Sequence, residues 1–343
     1  MGANGAVQIL SLGQRKGTEA DEQRERNVNK TYNFLEKLVW DEAFDTRFYT
    51  DPFHSSALVS SWNRKGRVRQ GSAKSYDRSL IDPNCILNAS VVPTATGHVF
   101  VISEAPGPDN FDAWFRAMHS RKVDSHPCVQ ESMRTSSLPE SRHAVVVQLD
   151  QSAASGKYRQ DPYLPEELKD LDTTLTVCTL SDGDDGEDMV IHHYLFDRFP
   201  NHAAISVEDR DKLRNLSLLV GQQKSRLQAE EWVHCWAGED RSPTWAVLSS
   251  LVRPRLSQSD IPLASSTIAK KVPDSLKGDP IFMTTYNVRR YRQGRLVGWE
   301  QYEMLCDMLN SYPSPGDDVP TNSERGVTIG SGGVNWDEGG TNA

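Results

Sequence analysis

Several features that would assign this chain to a class are missing from it. There is no basic surplus, because 38 Lys and Arg stand against 47 Asp and Glu, a formal net charge of −9 at pH 7. That excludes a nucleic-acid scaffold or a polybasic membrane binder, since both need clustered cation to offset phosphate. Cysteine is scarce. The five residues, Cys85, Cys128, Cys178, Cys235 and Cys306, are odd in number and scattered, with neither zinc-type spacing nor a disulfide framework. A reducing, cytosol-like compartment and no bound metal are expected. Long apolar runs are absent too, so neither a secretory signal nor a membrane span is expected. The opening Met1-Gly2-Ala3-Asn4-Gly5-Ala6 lacks the Ser or Thr that a myristoylation signal prefers, so no lipid anchor is expected. Gly330-Ser331-Gly332-Gly333 is not a nucleotide loop, because no strand precedes it and no helical pattern follows. No cofactor is expected.

What is present is a chain of 343 residues, 37% hydrophobic, long enough to bury one large core. Residues 1–30 read as a flexible polar tail, with dense mixed charge from Glu19 to Lys30. Tyr32, Phe34, Leu35, Leu38 and Val39 then supply the apolar face of a docking helix. Residues 313–343, rich in Gly, Ser, Pro, Asp and Asn, lack the large apolar groups that repay ordering entropy and read as a disordered tail. Residues 31–312 form the domain. Apolar runs predict strands at His98 to Ile102, His143 to Leu149, Leu175 to Leu180, Met189 to Phe196 and Trp232 to Cys235. Helical periodicity suits Asp112 to Met118, Val207 to Ala229, Thr244 to Val252, Ile281 to Tyr291 and Trp299 to Leu309. Strands interleaved with helices predict an α/β domain around a central, largely buried sheet.

Chemistry concentrates in Val233-His234-Cys235-Trp236-Ala237-Gly238-Glu239-Asp240-Arg241-Ser242, which follows a short apolar strand and opens a helical stretch. Phosphoryl transfer to sulfur needs a thiolate and a cradle for three phosphate oxygens. A loop closing onto a helix N-terminus turns backbone N–H groups toward one point, where the helix dipole favours anions. Such a turn favours the thiolate of Cys235, and the amides of Trp236, Ala237, Gly238 and Glu239 would bind substrate phosphate. Arg241, six residues after the cysteine, would grip two phosphate oxygens through its planar fork. Ser242 would hydrogen-bond the sulfur, Gly238 permits the turn, and Pro243 sits in the first helical turn, where a missing N–H costs little. The competing reading is a buried core cysteine beside a strand.

This stretch resembles the signature of the protein tyrosine phosphatases: His-Cys, five residues, Arg, then Ser or Thr. Four further segments carry the likeness in family order: Asn84 to Val91, Phe100 to Arg116, Ile191 to His202, and Val288 to Arg290 with Leu296 to Tyr302. The resemblance is to the larger, tyrosine-specific branch. It implies a twisted mixed sheet flanked by helices, a cysteinyl-phosphate intermediate, phosphotyrosine-containing proteins as partners and His234 as structural support. The cytoplasmic action expected from the cysteines leaves open both the producing cell and delivery into a host cell as an effector. The departures matter equally. The family's general-acid aspartate is Asn201 here, and an amide cannot protonate a leaving phenoxide. The water-positioning glutamine falls on Gly298, with Gln301 as a nearby substitute, and of the substrate-tyrosine loop only Tyr76 survives as a stacking aromatic.

Three readings follow. The first is a slow phosphotyrosine phosphatase. The second is a pseudophosphatase that binds phosphotyrosine proteins without efficient turnover. The third is a phosphoinositide phosphatase, because Cys-x-x-Gly-x-Asp-Arg-Ser resembles the loop of myotubularin-type enzymes, in which Asp240 would be the acid.

Overall fold

The computed structural model describes residues 18–43, 79–81, 87–94, 96–107, 110–120, 142–150, 166–180, 188–254, 271–292 and 296–310. In chain order these form α1 (Glu19–Ala43), β1 (Ala89–Pro93), β2 (Val99–Glu104), α2 (Phe111–His119), β3 (His143–Gln148), α3 (Glu166–Lys169) and β4 (Thr173–Leu180). There follow β5 (Met189–Phe196), α4 (Val207–Leu227), β6 (Glu230–Cys235), α5 (Arg241–Val252), α6 (Asp274–Lys277), α7 (Pro280–Tyr291) and α8 (Trp299–Leu309).

The strands make one mixed sheet in the order β1-β2-β6-β3-β5-β4. Its centre is parallel, β2 with β6, β6 with β3 and β3 with β5, while β1 and β4 close the edges antiparallel. Successive strand residues point to opposite faces, and both faces are covered. Phe100, Ile102, Val145, Val147, Tyr194, Phe196 and Val233 face one core with α1, α4, α5, α7 and α8. Val99, Val101, Ala144, Val146, Ile191 and Trp232 face the other, against Trp114, Ala117 and Met118 of α2. The fold is therefore the α/β sheet with flanking helices that the alternation of patterns implies.

Two boundaries differ from the sequence reading. Residues 19–30, assigned to the polar tail, are the first half of α1. Thr18 caps the helix, its N–H donating to Asp21 Oδ2 at 2.9 Å while Asp21 N–H donates to Thr18 Oγ1 at 3.2 Å. The mixed charge is a solvated helix face, with Arg26 and Glu22 paired one turn apart at 3.5 Å. Strand β1 has no counterpart in the sequence reading, because its five residues, Ala89-Ser90-Val91-Val92-Pro93, are short, include a serine and end on a proline, and so make no apolar run. The 313–343 segment lies outside the described residues.

Helix α1 docks as its apolar face predicts, with Val28, Leu35 and Leu38 nearly inaccessible. Glu36 pairs with the buried Arg289 at 2.6 Å. The guanidinium of Arg289 also donates to the carbonyls of Leu296 and Val297, at 2.6 and 3.0 Å, and fixes the segment leading into α8. A buried charge cluster ties the far end of the sheet to α5. There Arg253 grips Glu231 at 2.6 and 3.0 Å, Trp245 donates to the same carboxylate at 3.0 Å, and Lys224 lies 3.5 Å away. Burial alone would raise the Glu231 carboxyl, but the two cations and these hydrogen bonds hold it at about 2.

Candidate active site

Strand β6 delivers Cys235 to the edge of the core, and α5 begins six residues later at Arg241. The end of the strand is fixed from both neighbours. Ala105 N–H donates to the Cys235 carbonyl at 2.8 Å, and Leu149 N–H to the His234 carbonyl at 3.0 Å. Cys235 is buried, and the loop 236–240 runs from it straight to the N-terminus of α5. Thr244 N–H closes the first helical bond on the Asp240 carbonyl at 2.9 Å. The positive end of the α5 dipole therefore lies at the loop that carries the thiol.

Gly238 takes φ +62°, and a Cβ there would lie 2.6 Å from the Ser103 carbonyl carbon and oxygen. The loop can pass β2 this closely only as glycine. Beneath it lies Arg292, fully buried at the end of α7. Its Nε donates to the Gly238 carbonyl at 2.8 Å, and Nη1 reaches the carbonyls of Asn88 and Ile102 and the Ser90 hydroxyl at 3.3 to 3.4 Å. Burial lowers the Arg292 guanidinium to about 10, against the opposing influence of Glu104, Cys235 and Glu239. One side chain thus binds β1, β2 and the loop together. Sequence reasoning missed Arg292. The only signal was a third arginine in Arg289-Arg290-Tyr291-Arg292, which does not by itself distinguish a solvated cation from a buried one.

Arg241 is also buried. Its Nη1 donates to the Phe199 carbonyl at 3.5 Å, and its Nη2 lies 3.8 Å from Asp150 Oδ2. Asp150 follows β3 and is placed by Gln148, whose Nε2 donates to its carbonyl at 2.8 Å and its Oδ1 at 3.3 Å. His193 Nε2 stands 3.0 Å from Gln148 Oε1, and burial, with His234 beside it, lowers the His193 imidazole well below its ordinary value. Asp150 was not among the residues read from sequence, where it is a lone aspartate at a strand end.

The contact from Phe199 matters because Phe199-Pro200-Asn201-His202 is the segment expected to carry the acid. Asn201 is exposed on this turn. His202 adopts φ +55°, and its backbone N–H donates to Asp240 Oδ2 at 3.0 Å. The ring Nδ1 of the same residue lies 2.5 Å from the same oxygen. Asp240 itself is buried, at 4% exposure, and its side chain does not cap α5. The backbone contact uses the carboxylate as an acceptor. A third tie comes from α8, where Glu300 Oε2 accepts from Ala204 N–H at 3.3 Å.

The remaining expected residues fall in different layers. Trp236 is half exposed at 51%, Ala237 and Glu239 are partly exposed, and together they form the lip of the loop. His234 is fully buried behind the cysteine, edge-on to Trp114 at 5.6 Å and stacked on His193 at 6.4 Å. Ser242 is fully buried, and its Oγ has no hydrogen-bond partner among the described residues. Gln301 is buried at 1% exposure rather than open at the lip. Its Oε1 faces the Thr244 hydroxyl at 2.9 Å and accepts from Gly298 N–H at 3.2 Å. The Thr244 hydroxyl in turn lies 2.6 Å from the Asp240 carbonyl, so Gln301 braces the loop from behind. Tyr76 and the Asn84 to Ile86 part of its family segment lie outside the described residues.

Comparison of the whole chain with solved structures finds the same architecture in enzymes of trypanosomes. A protein tyrosine phosphatase of Trypanosoma cruzi superposes with a TM-score of 0.53 at 15% identity, over 85% of this chain and 92% of its own. That of Trypanosoma brucei gives 0.50, also at 15% identity, over 84% and 95%. No family profile matches the chain, and no curated protein matches it by sequence. The fold is that of the protein tyrosine phosphatases.

Proposed function

We propose that the chain is a cysteine-dependent phosphatase that hydrolyses phosphotyrosine in proteins through a cysteinyl-phosphate intermediate. The observation that supports the reading is that Cys235 ends β6, the short loop after it runs to the N-terminus of α5, and Arg241 is the first residue of that helix. Those are the three components that a thiolate nucleophile and a phosphate dianion require. In the first step the Cys235 sulfur attacks phosphorus as the bond to the tyrosine oxygen breaks, with Arg241 and the loop amides holding the equatorial oxygens. In the second, water attacks phosphorus and the sulfur leaves as thiolate. Gly238 and Arg292 keep the loop in the shape that both steps need. The exposed Trp236 offers an aromatic surface to the substrate side of the loop.

Asn201 supports the second reading, a binder of phosphotyrosine proteins with little turnover. The phosphoinositide reading needs Asp240 as proton donor, and the His202 backbone N–H uses that carboxylate as an acceptor. No helix among the described residues is long and apolar enough to cross a membrane. Action in the cytoplasm, of the producing cell or of a host, is inferred from the scattered cysteines. The deciding experiment is burst-phase kinetics with 4-nitrophenyl phosphate. Wild type should release a stoichiometric burst of nitrophenolate and Cys235→Ser none. A wild type without burst or turnover that still retains phosphotyrosine peptides would establish the binder instead.

A further inference from the structure

Two departures from the phosphatase pattern, Asn201 and Asp240, lie on different elements, and His202 joins them. Asn201 removes the carboxyl that would protonate the leaving oxygen. Asp240 places a carboxylate immediately before the phosphate-gripping Arg241. The Asp240 oxygen receives both the backbone N–H of His202 at 3.0 Å and the ring Nδ1 at 2.5 Å, so one buried acceptor fixes this residue twice. The side chain of His202 is nevertheless 68% exposed, against 5% for that of Asp240. An aspartate that orients one imidazole nitrogen from beneath while the ring stays accessible is the arrangement of an acid–base pair. The turn also touches Arg241, the residue proposed to hold phosphate, whose Nη1 donates to the Phe199 carbonyl three residues before His202. The charged groups that this turn meets are Asp240 and Arg241 of the nucleophile loop and Glu300 of α8.

We propose that His202, oriented by Asp240, is the general acid and base of this site in place of the aspartate absent at position 201. The inference rests on the phosphatase reading above and deepens it. In the first step the imidazolium of His202 gives its Nε2 proton to the tyrosine oxygen as the bond from phosphorus to oxygen breaks and that from sulfur to phosphorus forms. The neutral ring keeps its Nδ1–H on Asp240. In the second step Nε2 takes a proton from the attacking water as phosphorus leaves sulfur, which restores the imidazolium and the thiolate. No other reactant is needed, and both departures have one explanation: the carboxylate gained at 240 serves the ring that replaces the carboxylate lost at 201.

The test compares leaving groups, because 4-nitrophenolate departs readily without a proton and phenolate does not. Wild type, His202→Ala, Asp240→Asn, Asn201→Asp and the double variant His202→Ala with Asn201→Asp are assayed on 4-nitrophenyl phosphate and phenyl phosphate, with circular dichroism of each. His202→Ala should lose about 10²-fold more on phenyl phosphate than on 4-nitrophenyl phosphate, within the range of a positioned acid. Asp240→Asn, with an unaltered circular dichroism spectrum, should shift the leaving-group dependence in the same direction. Asn201→Asp should change little in the wild type but restore phenyl phosphate turnover in the His202→Ala background. Equal losses on both substrates would reduce the pair to a latch between two loops and overturn the proposal. So would a rise of about 10²-fold in phenyl phosphate turnover from Asn201→Asp alone, since it would mean that wild type has no acid. A wild type that shows neither burst nor turnover overturns the phosphatase reading and the proposal together, whereas turnover with unaltered leaving-group dependence in His202→Ala removes only the proposal.

Discussion

Replacing Gly238 with alanine would put a single carbon into the nucleophile loop where the backbone has φ +62°. A side chain in that left-handed conformation costs about 1–2 kcal/mol before any contact is counted. The contacts are severe. The new Cβ would lie 2.6 Å from the Ser103 carbonyl carbon and oxygen and 2.7 Å from Arg292 Nη2. Ser103 is pinned in the sheet between Ala89 of β1 and His234 of β6, and Arg292 is fully buried among carbonyls, so neither has room to yield. The loop must therefore move, by at least about 0.4 Å to clear the closest approach that real side chains show. Because a displacement of about 1 Å at reacting groups costs about 10²-fold, a loss of roughly 10- to 100-fold in kcat/KM is expected. Vanadate affinity should fall with it, since the same amides hold both anions. Urea unfolding should show a lower midpoint, corresponding to a stability loss of about 1–2 kcal/mol or somewhat more. An alanine variant with kcat/KM within about twofold of wild type and an unshifted midpoint would refute the reasoning that the loop is clamped from beneath.

The other predictions concern the thiols, the phosphate fork and acid stability. Iodoacetamide should modify Cys235 well before Cys178 and Cys306, whose thiols burial pushes up, and vanadate should protect it; mass spectrometry showing equal labelling of Cys306 would defeat the assignment. Arg241→Lys keeps the charge but loses the fork, so vanadate affinity and turnover should both fall by about tenfold or more with circular dichroism unchanged, and unaltered vanadate affinity would remove Arg241 from the site. Glu231, held at about 2 in the fold, contributes stability that is fully present above the ordinary glutamate value and is lost as pH falls toward 2. Urea midpoints measured across that acid range should therefore decline. The variant Glu231→Gln, though less stable at neutral pH because it strands Arg253, should show a flatter acid limb.

How much of this was legible in the sequence depends on whether a residue's neighbours in space are also its neighbours in the chain. The strand–loop–helix turn that carries Cys235 and Arg241 was legible because cysteine, glycine, arginine and the helix start all lie within ten residues. The strands of the sheet centre were legible from apolar runs and α4, α5, α7 and α8 from their periodicity, since burial on both faces and amphipathic faces leave direct traces in composition. Strand β1 left no such trace, and α1 was cut short because charge pairs one turn apart look the same as a polar tail until Thr18 is seen to cap them.

What tertiary structure alone decided is which charged side chains face which. In the sequence Arg292 is one of three closely spaced arginines. Packing of α7 under β1 and β2 makes it the post on which the Gly238 carbonyl rests. Asp150 and Arg241 are separated by most of the sheet and meet because β3 and β6 are parallel neighbours. In the sequence Asn201 is a lost acid and Asp240 is a candidate acid in one of the three readings. Only the fold, by laying the turn after β5 across the N-terminus of α5, brings His202 to within 2.5 Å of Asp240 and makes the two departures a single site. Hydrophobic patterning specifies which faces are buried, but it does not encode the pairing of polar groups that the buried faces then force together.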